Sequence, residues 1–61
     1  MGATLKRIRT RKKLSQAAVA KCAGLSREYV KKIEAGRYDP PLSTLNSLAK
    51  ALGVPVTELL V

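Results

Sequence analysis

Residues 15–37, SQAAVAKCAGLSREYVKKIEAGR, carry the pattern on which the fold turns. The stretch reads as two short helices separated by a tight bend at Ala23-Gly24-Leu25. Ser15 and Ser26 stand where the two helices must open, and a serine oxygen can accept an otherwise unpaired N–H of a first turn. Gly24 falls where the first helix must stop and reverse, a position that favours a residue free to take positive φ. At about 3.6 residues per turn, Ala20 and Ala23 share a face, with Leu25 nearby; in the second helix Val30 and Ile33 point one way and Glu28, Lys31 and Lys32 the other. Ala20 is small where the two helices must cross closely. Two helices joined by a short turn containing Gly make a helix-turn-helix unit, and its second helix is the part such a unit offers to DNA.

The rest of the chain bounds what this unit can belong to. Sixty-one residues make one domain, 1–61, near the lower size limit for a fold without metals or crosslinks. With one cysteine and no histidine there is neither an internal disulfide nor a zinc site, and Cys22 reads as a small filler residue on the first helix of the motif. No Phe or Trp is present, so Leu, Ile, Val and Ala must supply the core. Twelve Lys and Arg against four Asp and Glu give a net charge of +8 and a pI near 10.3. Such a surplus attracts nucleic acid or an anionic membrane, or serves simply as a solubilising surface. No apolar run approaches the roughly 18 residues of a membrane span, and no signal peptide opens the chain. The unpaired thiol suits a reducing cytoplasm.

Ahead of the motif, residues 4–13 predict a helix with Leu5 and Ile8 inward and Lys6, Arg7, Arg11 and Lys13 outward. Arg9, four residues after Leu5, stands on the inner shoulder of that helix. Glu34 stands in the same position on the recognition helix, one turn after Val30. Two opposite charges turned toward one core suggest an ion pair. Gln16 opens the second helix beside free backbone N–H groups, where an uncharged donor can hold a DNA phosphate.

The recognition helix, residues 27–35, spans roughly 13 Å, and its diameter fits the roughly 12 Å major groove. Ser26, Arg27, Glu28 and Lys32 are the candidates for reading base edges. Arg27 or Lys32 can donate to guanine, and Glu28 can accept from cytosine or instead pair with Lys32 one turn on. Tyr29 and Lys31 flank this face as backbone contacts. Gly36 ends the helix, and Pro40 and Pro41 follow. Leu42, Leu45, Leu48, Ala49 and Leu52 recur at helical spacing and predict a fourth, covering helix, which Gly53 stops. Pro55 can open a last short helix through Leu60. The end carries more apolar side chains than one small core can bury, so 54–61, using Val56, Leu60 and Val61, is expected to form a dimer surface.

Ala20, Gly24 and Val30 in their spacing, LKRIRTRKKLSQ before them (residues 5–16) and PPLSTLNSLAKALGV after them (residues 40–54) resemble the Cro/C1-type, lambda-repressor-like (Xre) family of phage repressors. The resemblance spans roughly residues 4–60. It implies an all-α, compact five-helix domain and an Arg9–Glu34 pair linking the first and third helices. It also implies that Gln16 clamps a phosphate while bracing the start of the recognition helix, and that Arg37 and Tyr38 grip the DNA backbone from the following loop. Leu42 stands where some phage repressors carry an arginine into the minor groove, which removes that contact here. Pro55 replaces the serine more usual at that point, a weaker cap.

These readings lead to a sequence-specific, double-stranded DNA-binding transcriptional regulator, a homodimeric repressor on a palindromic operator. Small autoregulators of this kind include phage switches, antitoxins and controllers of restriction–modification systems. No catalytic constellation, metal site, cofactor, membrane contact or small-molecule ligand domain is expected. A protein-interaction or antitoxin-type module on the same fold is the alternative; it would not need Gln16, Arg27, Lys32 and Arg37 on one side. RNA binding usually brings stacking aromatics, and only Tyr29 and Tyr38 are available.

Overall fold

Four α-helices and a single 3₁₀ turn, with no strand among the described residues, make up the computed structural model, which describes residues 2–60. In chain order these are α1 (Gly2–Arg11), α2 (Gln16–Ala23), α3 (Arg27–Glu34), α4 (Leu42–Leu52) and the 3₁₀ turn Val56–Leu59. Leu5, Val19, Val30, Ile33, Leu48 and Leu59 are the largest fully buried side chains, one or more from every element. Each contributes about 1.5–3 kcal/mol of burial free energy, and Ile8, Ala20, Leu45, Ala49 and Leu52 complete the core around them.

The helix starts follow the serines. Ser15 Oγ accepts the Ala18 N–H at 3.0 Å, and Ser26 Oγ accepts the Tyr29 N–H at 3.1 Å. Both caps hold one of the unpaired donors of an opening turn.

The helix ends share one pattern. Leu25, Arg37 and Val54 donate to the carbonyls five residues back, and Gly24, Gly36 and Gly53 to those three back, each glycine at a φ of 71–75°. This is the left-handed closure that glycine favours. Its fourth occurrence, at the end of α1, is built on Lys13, at φ 59°. There Leu14 donates to Arg9 and Lys13 to Thr10 in the same two bonds. The residue following the left-handed position is Leu14, Leu25 or Val54 in three cases, and all three pack on the core. In the fourth it is Arg37, which is exposed.

Five expectations are corrected. The first helix begins at Gly2 and ends at Arg11, with residues 12–13 forming its closing turn, where 4–13 was expected. Leu42 is 60% exposed and lies outside the apolar stripe of α4; at about 100° per residue it falls roughly 70° from the centre of the stripe set by Leu45, Leu48, Ala49 and Leu52. Cys22 is exposed and fills no part of the core, because two positions on from Ala20 lie about 200° around α2. The expected fifth helix is one 3₁₀ turn, closed by Glu58 N–H to Pro55 at 3.0 Å and Leu60 N–H to Thr57 at 3.2 Å. Four residues suit that tighter winding, so the five-helix expectation becomes four α-helices and a turn. Finally, Val56 rests against the core and Leu59 is buried, leaving Leu60, 56% exposed, as the outward apolar residue. Val61, grouped with them from sequence, lies outside the described residues.

Candidate nucleic-acid interface

A carboxylate held between three helices organises the back of the site. Glu34, the last residue of α3, accepts from Arg9 of α1 in a bidentate pair, Nε to Oε2 at 2.7 Å and Nη2 to Oε1 at 3.1 Å. The side chains are 14% and 5% exposed for Arg9 and Glu34 respectively. The remaining guanidinium nitrogen of Arg9 donates to the Leu14 carbonyl at 2.8 Å, just ahead of α2. The hydrogen bond to Glu34 holds the Arg9 guanidinium above its already high pKa, against the opposing effect of burial. The pair expected from two core-facing charges is therefore present, with every nitrogen of its guanidinium engaged.

Gln16 joins this group. Its Nε2 donates to Glu34 Oε1 at 3.1 Å, so the opening residue of α2 is tied to the last residue of α3. The family resemblance implied a brace at the start of the recognition helix; here the brace is at its end. Neither this bond nor the one from Arg9 to Leu14 follows from the sequence, since nothing in spacing along a helix marks a partner across space.

Closer still is Gly2. A Cβ added there would strike the carbonyl of Ile33 and come within 2.6 Å of that of Glu34. The N-terminal end of α1 thus abuts the C-terminal end of α3, positive dipole end against negative. The only sequence signal is a glycine where a better helix former would ordinarily stand.

On the outer face of α3, Ser26, Arg27, Glu28, Lys31 and Lys32 are all exposed, as are Arg37 and Tyr38 in the loop after it. Glu28, Lys31, Lys32, Ala35 and Arg37 line one shallow hollow of about 440 Å³, and Arg27, Glu28 and Lys31 line another of about 240 Å³. Four cations and one carboxylate therefore share a continuous surface. Among the described residues the ion pairs are Arg9–Glu34 and Arg11–Glu58, the second a surface contact at 3.8 Å joining α1 to the 3₁₀ turn. None of the four cations on α3 and its loop is neutralised by either pair, and Glu28 does not pair with Lys32. Ser26 spends its oxygen as a cap but keeps its hydroxyl proton.

Tyr29 is half-buried against the core, and its ring meets that of Tyr38 edge to face at 5.2 Å and 72°. This contact ties the loop to α3. The neighbouring Tyr29 phenol raises the pKa of Tyr38; like any tyrosine it carries an O–H at neutral pH, a group able to donate to an anionic oxygen. Leu42, at the first position of α4, presents an exposed apolar side chain after this loop.

Comparison with known proteins matches this arrangement. The helix-turn-helix domain family covers residues 1–60. The immunity repressor protein of Bacillus phage phi105 is 46% identical over 59 residues, 97% of this chain and 41% of that protein, so the chain spans less than half of the repressor's length. An HTH-type transcriptional regulator of Sinorhizobium fredii is 41% identical over 59 residues, 97% of this chain and 77% of that one. Among solved structures, the restriction-modification controller protein C.AhdI from Aeromonas hydrophila superposes with a TM-score of 0.93 at 40% identity, covering 95% of this chain and 88% of the controller. A hypothetical transcription factor from Neisseria gives a TM-score of 0.92 at 35% identity, with 98% of this chain and 69% of the other covered. The capped, glycine-closed pair α2–α3 and its basic outer face are those of the helix-turn-helix family of Cro/C1 (Xre) type, and the chain belongs to that family.

Proposed function

We propose that the protein is a sequence-specific, double-stranded DNA-binding transcriptional regulator that acts as a homodimeric repressor on a roughly palindromic operator in the cytoplasm of a bacterial cell. The observation that carries this reading is the single surface on which Arg27, Glu28, Lys31, Lys32 and Arg37 converge. Arg27, Glu28 and Lys32, with Ser26, read base edges from the major groove. Gln16, Tyr29, Lys31, Arg37 and Tyr38 hold phosphates, which position the helix without reading sequence. The names of the relatives, a phage immunity repressor and a restriction-modification controller among them, support regulation as the role. No catalytic step is assigned to any of these residues.

Dimerisation through 54–61 would set two recognition helices roughly 34 Å apart, one turn of duplex, on a two-fold symmetric site. Occupancy of that site excludes polymerase. Selection of bound duplexes from a random pool tests the reading: enrichment of a two-fold symmetric motif with half-sites one turn apart is expected. Recovery of no sequence above the starting pool would refute it.

A further inference from the structure

We propose that Glu34 is a positioning residue for the phosphate contact of Gln16: as an acceptor-only group it fixes which end of the Gln16 amide is turned outward. The inference rests on the DNA-binding reading above.

A glutamine amide has an oxygen at one end and an NH₂ at the other, of nearly equal size, and only its partners decide between the two orientations. For Gln16 that partner is a carboxylate, which can only accept. The Nε2 end must therefore face Glu34 Oε1, as it does at 3.1 Å. Glu34 is itself immobilised, because both of its oxygens are gripped by Arg9 and its side chain is 5% exposed. Arg9 is anchored in turn on the Leu14 carbonyl, two residues before Gln16. The acceptor is thus fixed relative to the backbone that carries the amide.

The NH₂ group carries two protons, and Glu34 takes one. The second N–H is then a donor of set direction for a phosphate oxygen. Without an acceptor-only partner, the amide is free to turn its carbonyl toward the DNA, and two acceptors would then oppose each other. A carboxylate deep in a DNA-binding protein is unfavourable for association through charge alone, but Arg9 cancels that charge, leaving its orienting effect on Gln16.

Four proteins close a cycle: the wild type, Gln16→Ala, Glu34→Gln, and the double variant. Operator affinity is measured by fluorescence anisotropy on the duplex recovered by selection, and folding of each protein by urea titration. Gln16→Ala is expected to weaken operator binding about tenfold through loss of one charge-assisted hydrogen bond. Glu34→Gln should weaken it by a similar factor in the wild-type background and not at all in the Gln16→Ala background. Losses that multiply would show that Glu34 acts on DNA only through the fold, and would overturn the inference while leaving the DNA reading intact. A wild type that enriches no duplex would remove both.

Should Glu34→Gln fail to fold, the wild type supplies the test through NMR of the Gln16 side-chain amide. One Nε2 proton should move on operator addition while the other, held by Glu34, stays in place. Two protons that both stay, or that shift together, overturn the proposal.

Discussion

Arg9 shows how much one side chain can secure in a protein this small. Its guanidinium closes a bidentate pair with Glu34 and satisfies the Leu14 carbonyl, so α1, α3 and the approach to α2 meet at one group. Arg9→Ala strands a nearly buried carboxylate and a backbone acceptor together. It is expected to lower stability by about 3 kcal/mol in urea unfolding; a loss under about 1 kcal/mol would mean that Glu34 finds water instead. Gly2 is the opposite case, important for what it lacks. Gly2→Ala forces a methyl group onto the Ile33 and Glu34 carbonyls and should cost about 1–3 kcal/mol by overpacking, although alanine is the better helix former in open surroundings. A thermal melt unchanged or raised by that substitution would show that α1 can shift away from α3.

At the helix ends the chain repeats one solution four times, with glycine at three of them. Lys13 takes the left-handed position that Gly24, Gly36 and Gly53 hold elsewhere. Lys13→Gly relieves that conformation and should raise stability by about 0.5–1 kcal/mol, read as a higher urea midpoint with an unchanged slope. On α3 the predictions concern binding. Arg27→Ala or Lys32→Ala should relax preference at one base position at a cost of about 1–3 kcal/mol, whereas Arg37→Ala should weaken all duplexes alike and flatten the salt dependence. Uniform weakening by the first two would reassign them to phosphates. The features legible in sequence are those set by local rules. Ser15, Ser26 and Gly24 announce the motif through capping chemistry, and Arg9 and Glu34 announce their pair through charges placed on core-facing positions. Leu42 and Val56 escape such rules, because at the first residue of a helix or turn a single step of about 100–120° decides between core and solvent. The bond from Gln16 to Glu34 is illegible because 18 residues of chain separate two groups that only packing brings together.

Two surfaces of opposite character complete the domain. Of the twelve Lys and Arg, two are in ion pairs among the described residues, and the other ten leave a field suited to a polyanion. Leu60 is apolar and 56% exposed, in the same terminal segment as Val56, which rests on the core. If the proposed dimer forms through this segment, Leu60→Asp should convert it to monomers in sedimentation. A monomer engages one half-site only, so affinity for the full operator should fall far more than affinity for an isolated half-site. A dimer that survives would place the interface elsewhere. The exposed position of Cys22 on α2 has its own consequence, since the sequence contains no other cysteine. A nitroxide attached there lies on a rigid helix, and pulsed electron resonance on a symmetric pair of labelled chains would return one narrow spacing. That ruler reads the arrangement of two copies, with and without an operator, in the unmutated sequence.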